Sequence, residues 1–308
     1  MALSQIRGEV FAILAAFLWA ISTVLFERLG KKIRPIEMNL LKGVIAAILL
    51  GGTLVLLREP LDSLQPLGLT VLLISGAIGI GIGDTAFFEA LKDLGARRTL
   101  LLSTLAPPMT ALLALIFLGE SLVSTAWLGI LITVGGVAWV IAEQKRNGSG
   151  PANTDGTFEL NPIRGVAFGV LASLSQAVGL VLSRYAFSFS TISPLQSAIL
   201  RLIAGSVVVY GYIKLRRQPL GEWRKRPNIW RTWLMLLLVA FVGAYVCIWL
   251  QQVAVKLSPA GIAQTLMATS PLFVLPISAL RGEKLSLRAV LGAVVSVLGI
   301  MLLFGLFG

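Results

Sequence analysis

The feature that most constrains this chain is an internal repeat. Shifting the sequence by one constant offset lays Pro108 on Pro271, Gly119–Glu120 on Gly282–Glu283, Gly129 on Gly292 and Gly136 on Gly299, with no gap. Matching Pro, Gly and Glu at one spacing marks a duplication, so the chain must fold as two related units. The repeat extends upstream. Gly8, Phe11, Leu14, Ala15 and Ala20 fall on Gly165, Phe168, Leu171, Ala172 and Ala177, and after a two-residue shift Pro35 falls on Pro194 and Lys42 on Arg201. The expected units are 1–144 and 164–308, joined by a polar linker over 145–163 that is rich in Asn, Gly, Ser, Pro and Thr.

Each unit reads as five apolar spans, at about 8–27, 36–57, 68–91, 98–118 and 122–142, then 165–187, 195–215, 231–254, 260–280 and 286–307. Each is about long enough to cross roughly 30 Å of hydrocarbon at about 1.5 Å per residue. Apolar residues make up 56% of the chain and charged residues 13%, about half the charged share of a soluble domain. The expected fold is therefore an all-α membrane protein of ten transmembrane helices. Because five is odd, the second unit must sit upside down, which gives two inverted five-helix repeats with a site near the midplane. No cleavable leader is expected, because the first apolar segment has its counterpart in the second half.

The net charge of +12 does not imply nucleic acid, because the basic residues lie in short links between apolar runs. The links after spans 1, 3, 5, 7 and 9 hold 20 Lys and Arg; the other links and the termini hold Arg7, Arg58 and Lys256. The positive-inside rule then predicts cytoplasmic odd links and extracytoplasmic termini in an inner-membrane protein. There is no histidine and one cysteine, Cys247. That excludes a disulfide framework, most metal centres and His-dependent nucleophilic catalysis. No enzyme activity and no cofactor are expected.

Ionisable residues inside spans are the strongest site signal, because charge in hydrocarbon is costly. They are Lys42, Asp84, Glu89, Arg184 and Arg201. Lys42 and Asp84 fall at the same depth and can pair; Glu89 lies close enough to the span end to be solvated. Arg201 has no acid in any span of its own half, so it needs carbonyls, water or an anionic ligand. Arg184 shares that lack but can reach the surface along its own stem. On span 8, Tyr245, Trp249 and Gln252 share one face. Trp19 in span 1 corresponds to Gln176 in span 6, and Phe88 stands beside Glu89. Spans 1, 3, 6 and 8, with the charged faces of spans 2 and 7, are expected to line a cavity. The substrate-binding candidates are Trp19, Lys42, Asp84, Phe88, Glu89, Gln176, Arg201, Tyr245, Trp249 and Gln252.

Pro107, Pro108, Pro271 and Pro276 interrupt spans 4 and 9 and are expected hinges, since each removes a backbone donor and clashes with the preceding turn. The competing reading is a static kink. Glu120 and Glu283 follow Gly at a span end, where a turn and the next helix N-terminus use an acid. Gly79-Ile80-Gly81-Ile82-Gly83 has neither the strand nor the spacing of a nucleotide loop; it thins a helix for close packing or bending. Asn147-Gly148-Ser149 matches a glycosylation sequon, but on a link read as cytoplasmic.

These residues resemble the drug/metabolite transporter superfamily, and within it the ten-span EamA-type branch. The resemblance rests on the Trp19 region, Pro35 with Lys42, Ala106-Pro107-Pro108 followed by Gly119-Glu120, and the second copy Ser270-Pro271 with Gly282-Glu283, Gly292 and Gly299. It covers the whole chain. It implies an exporter or exchanger of small metabolites or drugs. The chain departs from the pattern in carrying Lys42 where the first repeat usually has Arg. It also lacks the span-1 Glu that short four-span relatives use for proton coupling; the first acid of span 1 is Glu27.

The reading is a carrier that moves a small polar metabolite, amino-acid-like or anionic, out of the cell by alternating access. Trp19, Tyr245 and Trp249 would meet its apolar parts and Arg201 a carboxylate or phosphate. The alternative is a proton-coupled antiporter or multidrug exporter using Asp84 or Glu89. An intramembrane enzyme and a lipid scramblase are weaker rivals, the first for want of a nucleophile and base. The expected partners are the substrate and the lipid bilayer, without nucleic acid, and the expected state is a monomer.

Overall fold

The computed structural model describes residues 2–59, 65–118, 161–225, 229–258, 260–280 and 287–303, together with isolated positions between 125 and 139. Among them there is no strand. The helices are α1 (Ala2–Gly30), α2 (Pro35–Leu57), α3 (Pro66–Leu94), α4 (Ala96–Ser103), α5 (Ala106–Leu118), α6 (Pro162–Phe189), α7 (Pro194–Leu215), α8 (Ile229–Leu257), α9 (Ala260–Met267), α10 (Ser270–Leu280) and α11 (Leu287–Leu303). Seven stretches are long and apolar enough to cross a membrane; α1, α2, α3, α6, α7 and α8 supply six, and α4 with α5 forms the seventh. Shorter apolar helical stretches run over Ala263–Ile277 and Val290–Gly299. Most of expected span 5, most of the linker, Glu120, Glu283 and the Asn147 sequon lie outside the described residues.

Local sequence explains the helix starts. Pro35, Pro162 and Pro194 each open a helix, where a missing N–H costs nothing. Asn161 caps α6 by accepting from the Arg164 N–H at 3.0 Å. Ser193 and Gln196 form a reciprocal capping box on α7. Gly95, at φ 79°, turns the chain from α3 into α4.

The two halves interlock through matching contacts. α1 packs along the C-terminal part of α8, and α6 packs along the C-terminal part of α3. α7 lies against the middle of α3, and α2 against the middle of α8. Glycines set these approaches: a Cβ at Gly8 would stand 3.1 Å from Leu257 Cβ, and one at Gly165 2.7 Å from Leu94 Cγ. A Cβ at Gly136 would meet Ser296 Oγ at 2.6 Å, and one at Gly299 would meet Thr133 Oγ1 at 2.6 Å. The repeat offset relates Gly136 to Gly299 and Thr133 to Ser296, so this contact is reciprocal.

α3 and α8 share a further feature. Both pass through a π-helical stretch at the same repeat position, Ala77–Asp84 in α3 and Ala240–Val246 in α8. A π-turn leaves carbonyls without their usual partner. In α3, Asn39 Nδ2 of α2 donates to the Ile80 carbonyl at 2.9 Å, and Thr85 Oγ1 donates to the Gly81 carbonyl at 2.7 Å.

Candidate functional site

A cavity of about 100 Å³ lies between the halves. Its wall takes Trp19 from α1, Asp84 and Phe87 from α3, Ser103 and Ala106 around the α4–α5 break, and Gln176 from α6. It also takes Arg201 from α7, Cys247 and Gln251 from α8, Gln264 from α9 and Pro271 from α10. Helices α1, α3, α6, α7 and α8 therefore meet there, joined by the α4–α5 and α9–α10 breaks; α2 contributes no wall residue.

Arg201 has the most demanding environment. It is 2% exposed, and its Nε and Nη1 have no hydrogen-bond partner. Its guanidinium runs between two glycines: a Cβ at Gly79 would come within 3.1 Å of Nη2, and one at Gly179 within 3.3 Å. At Gly76 a Cβ would stand 2.3 Å from the Arg201 carbonyl. The glycine run of α3 thus serves close packing: Gly76 and Gly79 against Arg201, Gly81 against Val208 and Gly83 against Ser175. Asp84, at the end of the α3 π-stretch, is the carboxylate whose field Arg201 feels.

Lys42 is fully buried and pairs with Asp84. Its ammonium also stands 5.2 Å from the Phe88 ring centroid. Phe88 packs on Phe26 with centroids 4.8 Å apart, in the hydrophobic core. Trp19 stands against Phe87 at 5.2 Å, an aromatic corner on the cavity.

Six expected binding residues are not on this wall. Lys42 and Phe88 stand behind it. Glu89 pairs with Arg164 at the start of α6, which also reaches Asp93 at 3.3 Å. Tyr245 shares a hydrogen bond of 2.8 Å with Thr53 of α2, and Trp249 packs beside it, with centroids 6.1 Å apart. Gln252 accepts from Ser197 of α7 at 2.9 Å. The stripe of α8 therefore faces α2 and α7, and the cavity face of α8 is Cys247, Ile248 and Gln251. Arg184 donates to the Val255 carbonyl at 3.1 Å.

The prolines sit differently from the simple interrupted helix. The break in span 4 is a turn at Thr104–Leu105, and Pro107 and Pro108 stand in the first turn of α5. Pro271 likewise stands in the first turn of α10, after a turn at Ala268–Thr269. Pro276 alone lies inside a helix. The carbonyls at the breaks are met by neighbouring hydroxyls: Thr104 to Leu101 at 2.7 Å, Thr269 to Leu266 at 2.6 Å and Ser270 to Met267 at 2.7 Å.

Sequence reasoning missed Gln264, Cys247 and Phe87 as wall residues, and both π-stretches. A lone Gln in an apolar span was the available signal for Gln264, since buried amides want polar surroundings. Nothing in the residues of 240–246 marks a π-turn.

A family described as the EamA-like transporter family matches residues 6–142 and again residues 163–305. A solved crystal structure is similar with a TM-score of 0.70, at 16% identity and over 98% of each chain. That likeness shows the fold alone. No curated protein sequence matches the chain.

Proposed function

The chain belongs to the EamA-like transporter family, and as a multi-pass membrane transporter we propose that it moves a small anionic or zwitterionic metabolite outward across the inner membrane by alternating access. The observation that carries this reading is Arg201, a buried cation with free donors on a cavity between two halves. A guanidinium without a partner in a low-dielectric site costs several kcal/mol, which an anionic ligand offsets.

The reading includes ten spans in two inverted five-helix repeats. Three observations support it: the family matches each half separately, the π-stretches recur at one repeat position, and Gly136 and Gly299 make reciprocal contacts. Reciprocal contact between equivalent residues is what a two-fold axis produces. In this scheme the breaks in spans 4 and 9, both on the cavity wall, are where half-helices move.

The test is uptake into proteoliposomes together with ligand-induced stabilisation across amino acids and organic acids. Arg201→Gln should weaken binding of an anionic substrate by about ten- to a hundredfold, as expected for one charge-assisted hydrogen bond. Normal transport by this variant removes the anion site. Extracytoplasmic termini are part of the proposal; a reporter that works only in the cytoplasm should stay silent when fused after Gly308.

A proton-coupled reading is favoured at one residue. Asp84 lines the cavity, whereas Glu89 is held by Arg164. If protons drive transport, Asp84→Asn abolishes the pH dependence of uptake and Glu89→Gln leaves it.

A further inference from the structure

The cavity is chemically lopsided. Gln176, Gln251 and Gln264 face it from the second half, and the repeat sets Trp19, Phe88 and Leu101 at the same positions of the first half. On the wall itself the second half thus supplies three amides and a guanidinium, whereas the first half supplies Trp19, Ile80, Phe87 and Leu100, with Asp84 and Ser103 as its polar members. Gln264 is 4% exposed, and its Oε1 has no hydrogen-bond partner. Arg201 and Gln264 thus both line this cavity, and each has buried polar atoms without a partner: the donors Nε and Nη1 on Arg201 and the acceptor Oε1 on Gln264. A buried polar atom left unpaired is unfavourable, so each calls for a complementary ligand atom.

Charge limits the ligand further. The buried cluster of Lys42, Asp84 and Arg201 carries one net positive charge. A monoanion neutralises it, whereas a dianion leaves an uncompensated negative charge inside the protein. Size limits it as well: an apolar cavity of roughly 150 Å³ holds a benzene ring, so about 100 Å³ suits a ligand no larger than that ring.

We propose that this cavity recognises a monocarboxylate that also carries a hydrogen-bond donor, with Arg201 taking the carboxylate and Gln264 Oε1 selecting for the donor. Trp19 and Phe87 cover the remaining apolar part. The proposal rests on the anion site argued above and adds to it the residue that sets specificity.

Three probes test it on the purified full-length protein: lactate, propionate, which lacks the hydroxyl, and methyl phosphate near pH 8, where a phosphate monoester is dianionic. Lactate should bind about tenfold more tightly than propionate, and methyl phosphate more weakly than either. Gln264→Leu should bring lactate down to the affinity of propionate, while unchanged propionate binding shows the variant to be folded. Arg201→Gln should lose both acids. If Gln264→Leu keeps the lactate preference while Arg201→Gln loses binding, the Gln264 assignment is wrong and the anion site stands. If Arg201→Gln still binds both acids, the anion site is wrong and takes this proposal with it. Wild-type protein that binds propionate or methyl phosphate as well as lactate, or binds neither acid, overturns the proposal without any variant.

Discussion

Lys42 and Arg201 occupy the same position of the two repeats, and Asp84 and Cys247 occupy another such pair of positions. In the first half the set is complete: Lys42 is paired with Asp84 and buried among Phe88 and its neighbours. In the second half the cation is present, but the position of the acid holds Cys247, whose Sγ–H donates to the Ala15 carbonyl at 3.3 Å. Duplication built one plan twice, and the second copy carries a cysteine where the first carries its acid. A closed pair needs no ligand, whereas an open one in hydrocarbon does.

The largest effect should come from breaking the closed pair. Asp84→Asn leaves Lys42 and Arg201 as buried cations without a carboxylate, and losing one partner of a buried pair costs about 3–5 kcal/mol. Denaturation in detergent measures it. Replacing both partners, Lys42→Met with Asp84→Leu, should cost less than Asp84→Asn alone. If the double change is the worse, the pair has a net stabilising role beyond mutual neutralisation.

The converse change closes the open site. Cys247→Asp gives Arg201 the acid that its repeat partner has. Binding of anionic substrates should fall by about ten- to a hundredfold, as for Arg201→Gln, while ligand-free stability holds or rises. A Cys247→Asp protein that binds anions normally would show that position 247 cannot serve Arg201 as Asp84 serves Lys42.

A smaller effect is expected at the broken spans. Pro108 and Pro271 lie in first turns, where proline is tolerated and loses no intrahelical donor. Pro108→Ala and Pro271→Ala should change stability by about 1 kcal/mol or less, because alanine there restores only unfolded-chain freedom. If these breaks move in turnover, transport slows severalfold while ligand-induced stabilisation persists. Parallel loss of both would assign the prolines to folding alone. The smallest effect belongs to the pair of Arg164 with Glu89, whose side chains are 42% and 21% exposed. Glu89→Gln should cost about 1 kcal/mol or less, the usual range for a solvent-reached pair. A cost near that of Asp84→Asn would mean that burial does not separate the two sites.

Much of this was legible before any coordinates. Spacing of Pro and Gly revealed the duplication, apolar runs revealed the helices, and the pairing of Lys42 with Asp84 followed from equal depth. Arg201 stood out because its own half has no embedded acid; only the folded chain brings Asp84 of the other half into its field. The face of α8 was misassigned for a physical reason. Periodicity groups Tyr245, Trp249 and Gln252 on one side, but a π-stretch over Ala240–Val246, which contains Tyr245 itself, turns the helix ahead of Trp249 and Gln252. That face then meets Thr53 and Ser197.

The sequence by itself determined what each segment requires: hydrocarbon for the apolar runs, close approach at the glycines, compensation for every embedded charge. Those demands are local, set by the free energy of each side chain and backbone group in its solvent. Which demands meet one another was decided only by the tertiary structure, because the two halves interlock across a cavity that neither forms alone. Gln264 has no unusual neighbours in sequence, and only the fold brings it to a cavity wall shared with Asp84 of α3 and Arg201 of α7.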